Sequence, residues 1–306
     1  MPLTVTLRWC GANMLADTQN DLYFERMASS LKDKVKIIPW LLEGNILDVG
    51  AGGGEFALAM MELGNDAYAL DGSEEAIEHL KEKGIPAYQK FSHEIAETFE
   101  VGTFDSIVCS SIIHEIFSYG DDSENSAFTL RSVENSLSQF HQVMKDEGVL
   151  IIRDGIAPAN REEIVKVLFK DPDGVRLAKK YLDMIPFKTD IIPAPRHKVG
   201  FVIDEVEQSL TGDAGSIMEF LFTYTWGEKS YPRETQEFYG VFSLTEYVEF
   251  LESHGFDVLH AEEYLQEGYP LHLKEKVALY REDGSEAPFP MSNCLIVAEK
   301  KRQKTT

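Results

Sequence analysis

The stretch from Asn45 to Phe56, Asn-Ile-Leu-Asp-Val-Gly-Ala-Gly-Gly-Gly-Glu-Phe, constrains this chain more than any other. Ile46, Leu47 and Val49 form an apolar run of strand length, with Asp48 inside it. Glycines follow at 50, 52, 53 and 54, and Phe56 to Met61 then opens a helix. Strand, glycine turn and helix together bring backbone close to a ligand. The missing Cβ atoms let a flat or bulky group lie on the turn, and the free N–H groups of the helix start favour an anion such as a carboxylate. A second short strand, Ala67 to Asp71, ends in an acid and is followed by Gly72. An acid in that place suits a bidentate hydrogen bond to ribose hydroxyls.

The spacing Asp48-x-Gly50-x-Gly52-x-Gly54 resembles motif I of the class I S-adenosylmethionine-dependent methyltransferases, and Phe104 to Ser111 resembles that family's fourth strand. The resemblance covers about residues 20–155 and 244–300. It implies an α/β fold, a doubly wound seven-stranded Rossmann-like sheet, with S-adenosyl-L-methionine as cofactor. It also implies cofactor contacts from Asp48, Gly50, Gly52, Gly54, Asp71, Gly72 and Ser110. Ser92 falls where the family contacts the adenine, and Tyr23 lies on a leading helix of the kind that closes over the cofactor.

After the glycine loop the chain alternates strand and helix. Ser73 is read as an N-cap, and Gly84 ends its helix. Ile85 to Phe91 is a third strand, and a polar surface loop runs from Ser118 to Ser126. The run from Phe128 to Met144 is amphipathic, and Gly148 to Asp154 is the fifth strand. Right-handed crossovers and a parallel sheet follow from this alternation. The pattern then stops. Residues 155–243 read as an inserted helical substrate or lid region, with helices expected near 161–170, 174–185 and 203–210. Ser243 and Glu246 form a capping box for the helix Leu244 to His254, and two last strands, Phe256 to Ala261 and Cys294 to Glu299, complete the sheet. The expected organisation is thus a cofactor-binding core over 1–154, the insertion over 155–243, and the end of the core with the C-terminal tail over 244–306.

In open α/β sheets ligands bind beyond the carboxyl ends of the strands, so residues there are the candidates for chemistry. Methyl transfer from a sulfonium is an in-line displacement that asks the protein for orientation, water exclusion and sometimes a base. His114 and Glu115 follow the fourth strand, and a histidine near neutral pH can accept a proton from a hydroxyl. The competing reading is a histidine that only hydrogen-bonds the next loop. Arg153 and Asp154 end the fifth strand; neighbours on a strand face opposite sides, so one of them points at the site, and Asp154 is favoured because it precedes Gly155. Tyr224, Trp226 and Tyr239 belong to an aromatic segment that suits either a substrate-facing lid or a satellite core. The Asn-Pro-Pro-Tyr signature of many amino-group nucleic-acid methyltransferases is absent.

The formal net charge of −23 counts against broad nucleic-acid binding. Against that trend, residues 166–198 carry eight basic side chains and four aspartates, the ordinary explanation being the outer face of a helix. Cys10, Cys109 and Cys294 have no metal spacing and form no disulfide framework, so no metal is expected and a reducing, cytoplasmic setting fits. No apolar run reaches the ~18 residues of a membrane span, and no secretion signal opens the chain. The function expected is a methyltransferase acting on a small-molecule acceptor. The alternatives are an RNA methyltransferase using the 166–198 segment and a cofactor-binding protein without transfer activity. Acceptor and oligomeric state are not written in the sequence.

Overall fold

A computed structural model describes residues 33–121 and 126–302. The expected leading helix with Tyr23, and residues 122–125 of the polar loop, lie outside the described residues. A 3-10 turn over Val35–Trp40, holding Pro39, leads into β1 (Asn45–Val49), α1 (Glu55–Glu62), β2 (Asp66–Asp71), α2 (Glu74–Glu82) and β3 (Ala87–Gln89). After a 3-10 turn at Ser92–Glu94 come α3 (Ile95–Thr98), β4 (Phe104–Ser110), α4 (Ile113–Tyr119), α5 (Leu130–Val143) and β5 (Met144–Gly155). These strands, with two from the end of the chain, form a seven-stranded sheet in the order β3-β2-β1-β4-β5-β11-β9. All pairs up to β5 are parallel, whereas β11 (Asn293–Lys300) runs antiparallel to both β5 and β9 (Phe256–Tyr264). The seven-stranded sheet expected from the sequence is therefore present.

Alternation along the strands divides the core. Leu47, Ile107 and Ile152 face one apolar cluster, while Ile46, Val108 and Ile151 face the other. The buried Cys109 and Cys294 are free thiols that belong to the first cluster. Ser73 accepts from the Ala76 N–H at the start of α2, as its capping position requires.

The inserted region carries strands as well as helices. It contains β6 (Ile164–Phe169), α6 (Gly174–Met184), β7 (Phe201–Asp204), β8 (Ser209–Asp213), α7 (Ala214–Trp226) and the short α8 (Tyr231–Glu234). The chain then returns through α9 (Leu244–Ser253), whose capping box by Ser243 and Glu246 is formed, and α10 (Gly268–Leu273) precedes β10 (Val277–Arg281). A second, four-stranded antiparallel sheet runs β10-β6-β8-β7, so a strand from beyond residue 243 completes it.

Two helices expected here are corrected. The stretch 161–170 holds β6, whose residues alternate between buried and half-buried in the period of two that suits its valines. The stretch 203–210 holds the end of β7, the turn over 205–208 and the start of β8. The third expected helix forms as α6. One apolar cluster runs without a break from the first face of the large sheet through Phe117, Phe187 and Phe238 to Phe169 and Phe220 of the insertion.

Candidate active site

The carboxyl ends of β1, β2, β4 and β5 gather most of the residues singled out in the sequence. On the cofactor side, the glycine loop is pinned to β2: the Gly50 and Ala51 N–H groups donate to Leu70 O at 2.8 and 3.2 Å. Asp71 links this loop to the next turn, because its Oδ2 accepts from Gly52 N and its Oδ1 from Ser73 N, both at 2.9 Å. Each oxygen keeps a second lone pair for a hydroxyl. Gly52 has φ +51°, and a Cβ there would meet no atom of the described residues within 4 Å. The space in front of it is open, as a ligand cradle requires. Gly54 serves packing instead, since a Cβ would press into Leu80 and Ile85 at 2.4 and 2.7 Å.

Asp48 is buried beneath the loop. Burial, and then Asp71 and Glu55, push its carboxyl up to about 7 against the opposing pull of Lys34. At the tip of β4 the Ser110 hydroxyl is buried and has no hydrogen-bond partner among the described residues. A buried orphan hydroxyl beside an open glycine cradle fits a polar ligand such as S-adenosylmethionine. Gly72 lies against the Phe91 ring, which a Cβ would meet at 2.6 Å. Ser92 turns elsewhere: its hydroxyl pairs with that of Ser136 on α5 at 2.7 Å, so its side chain holds a helix rather than facing the cofactor region.

On the other side, β5 ends with the two side chains diverging. Arg153 is buried and pairs with Asp33, which also receives the Tyr264 hydroxyl at 2.7 Å, and its Nη1 donates to Ser111 Oγ at 2.8 Å. That makes Arg153 a structural tie, not the substrate contact expected of it. Asp154 turns to the opposite face and is fully buried. Its oxygens accept from the backbone N–H groups of Ile113 at 2.6 Å, His114 at 3.2 Å and Gly155 at 2.7 Å. The same carboxylate lies 2.5 Å from Nδ1 of His114, which therefore acts as the donor.

His114 is thereby fixed, with Nε2 directed at Glu237 Oε2, 3.6 Å away. Its ring stacks on Tyr239, centroids 4.7 Å apart. Burial by itself depresses the imidazole, but Asp154, Glu237 and Glu115 outweigh it and hold the pKa well above the usual value. Glu237 is buried too. Burial raises its carboxyl, yet His114, Tyr119 and Arg233 bring it down to about 2. The Tyr119 hydroxyl donates to Glu237 Oε1 at 2.8 Å, and the Tyr239 hydroxyl lies against Glu234 and 3.1 Å from Glu237 Oε2. Arg233, largely exposed, spans Glu115 at 3.1 Å and Glu237 at 3.3 Å.

A helix of the insertion anchors this segment. Glu219 of α7 accepts from the N–H groups of Tyr239 at 2.9 Å and Gly240 at 2.5 Å, and burial pushes its carboxyl up to about 7.

Of the three aromatics proposed for a lid, only Tyr239 meets His114. Tyr224 is buried in the insertion, against Phe169 and Phe220, with its hydroxyl on Asp171 at 2.6 Å, so it packs a core instead of facing a substrate. Trp226 ends α7, seven residues and about 10 Å of helix beyond Glu219. Glu237, Glu219 and Glu234 were not singled out in the sequence reading. For Glu234 and Glu237 the one visible signal was the density of acids inside the aromatic run 228–239, and Glu219 lies outside that run.

Most of the basic 166–198 segment is paired within the protein. Lys166 meets Glu207, Lys179 meets Glu205, Arg176 and Lys180 share Glu228, and Arg196 meets Glu246. Lys170 donates to the Lys274 carbonyl.

Residues 47–152 match the family described as "Methyltransferase domain". No curated protein matches the chain. Among solved structures, the YcgJ protein from Bacillus subtilis is 15% identical, with 90% of this chain and 100% of that chain covered and a TM-score of 0.47. An S-adenosylmethionine-dependent methyltransferase from Mesorhizobium loti is 16% identical over 89% of this chain and 98% of its own, with a TM-score of 0.49. The 1,6-didemethyltoxoflavin-N1-methyltransferase of Burkholderia thailandensis, seen with 1,6-didemethyltoxoflavin and S-adenosylhomocysteine, is 11% identical over 93% of this chain and 83% of its own, with a TM-score of 0.43. The family match covers about a third of the chain and falls on β1 to β5 of the large sheet. Residues 47–152 thus carry a methyltransferase domain. Among the described residues no helix is long and apolar enough to cross a membrane.

Proposed function

We propose that this chain is a class I S-adenosylmethionine-dependent methyltransferase that acts on a small-molecule acceptor held beside His114, with S-adenosyl-L-methionine bound by the Gly50–Gly54 loop, Asp71 and Ser110. Bound S-adenosylmethionine supplies a methyl group already activated on a sulfonium, so the chain's own task is to bind, orient and exclude water. Asp71 offers acceptors to ribose hydroxyls, Gly52 leaves room for the ligand's body, and Ser110 offers an unused hydroxyl. Asp154 acts through His114: it fixes the ring so that Nε2 faces the acceptor region, which makes it a positioning residue. Glu115 and Tyr239 complete that wall.

The observation that carries this reading is the arrival of residues 237–240 over the ends of β4 and β5. Their Glu237 and Tyr239 pack around His114 in a buried polar cluster, an enclosure that suits a small ligand better than a polymer. The basic segment supports it from the other side, because internal ion pairs leave little positive charge there for phosphates. The test is transfer of labelled methyl from S-adenosylmethionine to a desalted metabolite extract and, separately, to total RNA. Label is expected in the small-molecule fraction; label confined to RNA would overturn the reading.

A further inference from the structure

The acceptor side holds a grouping whose geometry goes beyond orienting an acceptor. His114, Glu115 and Glu237 each present one ligating atom, and all three atoms lie within 4.8 Å of one another. Two bonds of ~2.2 Å to a common ion reach at most about 4.4 Å, so a small inward rotation of the half-buried Glu115 suffices to close the set. We propose that these three side chains form a binding site for a divalent first-row cation, Mn²⁺ or Zn²⁺, at the mouth of the acceptor pocket.

Three features separate this from an ordinary ion pair. The first is the gap. Nδ1 of His114 sits 2.5 Å from Asp154, whereas Nε2 stops 3.6 Å from Glu237, too long for a hydrogen bond although both side chains are buried. Two bonds of ~2.1 Å meeting at a roughly tetrahedral angle put their ligand atoms about 3.4–3.6 Å apart.

The second feature is the support behind the ligands. Metal-bound histidines typically donate their other ring N–H to a carboxylate, which fixes the tautomer and leaves the free nitrogen for the ion. Asp154 stands in that relation to His114, and is itself held by three backbone N–H groups. Glu237 is likewise steadied, by the hydroxyls of Tyr119 and Tyr239.

The third feature is charge. The carboxyl groups of Glu115, Glu237, Glu234 and Asp154 crowd around one imidazole. The further cation across Glu115 and Glu237 is the exposed Arg233, which reaches in from the rim. An ion seated between those carboxylates takes over this role and releases the arginine to solvent. One imidazole and two carboxylates suit Mn²⁺ or Zn²⁺ better than a soft ion. Three protein ligands leave at least one coordination position for an oxygen or nitrogen of the acceptor.

The test uses the full chain stripped with a chelator and dialysed, with no cofactor or acceptor added, so that it reads independently of what the enzyme methylates. Mn²⁺ is titrated and followed by electron paramagnetic resonance, and Zn²⁺ is added to compete. One ion per chain is expected. Glu237→Gln should weaken it at least tenfold, and Arg233→Ala should bind as tightly as the parent or tighter, since a competing cation is gone. If circular dichroism shows that Glu237→Gln does not fold, Glu115→Gln replaces it with the same expected direction. No Mn²⁺ or Zn²⁺ binding up to 1 mM (roughly −4 kcal/mol) would overturn the proposal. So would binding that a folded ligand variant leaves unchanged, or binding lost in Arg233→Ala.

Discussion

Asp154→Asn isolates the strut on which the acceptor side is built. The native carboxylate takes N–H groups on both oxygens: Ile113 and His114 main chain on Oδ2, and Gly155 main chain with the His114 ring on Oδ1. An asparagine keeps one oxygen and turns an NH₂ toward the other pair. In the better orientation that NH₂ meets the Gly155 N–H and the imidazole, and both bonds are lost. Hydrogen bonds to a charged group contribute ~1.5–3 kcal/mol each. Breaking a buried charged pair by removing one partner costs roughly 3–5 kcal/mol. Nothing in a fully buried site offers water as a replacement. We therefore expect a loss of about 3–5 kcal/mol, read as a lower urea midpoint at unchanged slope. Cofactor affinity, measured by calorimetry where the variant is folded, should stay within about twofold, or roughly 0.4 kcal/mol. A destabilisation below about 1 kcal/mol would show that Asp154 is not holding β5, α4 and His114 together.

Three further outcomes follow from the cofactor side. Asp71→Ala should weaken S-adenosylmethionine by about tenfold to a hundredfold, because two acceptors for the ligand and the Gly52 anchor go together; an unchanged dissociation constant in calorimetry would remove Asp71 from the site. Gly52→Val meets no atom of the described residues at its Cβ but must hold φ +51°, a strain of about 1–2 kcal/mol for a side-chain-bearing residue, so binding should vanish in a protein that still melts cooperatively. Normal affinity in that variant would reduce the loop to a turn. Asp48 has its folded pKa raised to about 7, so its protonated form supports the fold below pH ~4 and that support is lost as pH rises toward 7. Asp48→Asn should therefore gain thermal stability over the parent as pH goes from 5 to 8, by at most about 3 kcal/mol; a difference that stays flat with pH would contradict the shift.

The cofactor half was legible because its determinants are local. Asp48 lies in one strand, Gly52 and Gly54 follow it, and Asp71 ends the next, so spacing alone carries the geometry. Strand order was legible for the same reason, since each βα unit announces itself by an apolar run and a cap. The insertion was less so. Ile164 to Phe169 offered β-branched residues in a period of two, yet its flanking Arg161, Glu162 and Glu163 resemble a helix start. The pairings that decide between the two come from β8, on the far side of α6, and from β10, over a hundred residues later.

The acceptor half shows why composition could not settle the aromatic segment. Tyr224 and Tyr239 look alike in sequence, each a tyrosine of the aromatic segment that runs from 224 to 240. What separates them is the local backbone: Tyr224 is buried in α7 and directs its ring into the insertion's core, whereas Tyr239 lies on an extended return held by Glu219. Glu219 is buried at a position where burial pushes a carboxyl up to about 7. A helix that only packed would place an apolar residue there. The two N–H groups it receives fix the path of residues 237–240 and so deliver Glu237 to His114 from 123 positions away in the chain. The insertion thus contributes to the acceptor pocket through one buried acid that no periodicity reveals, and the large sheet contributes through Asp154, which adjacency to a strand tip does reveal.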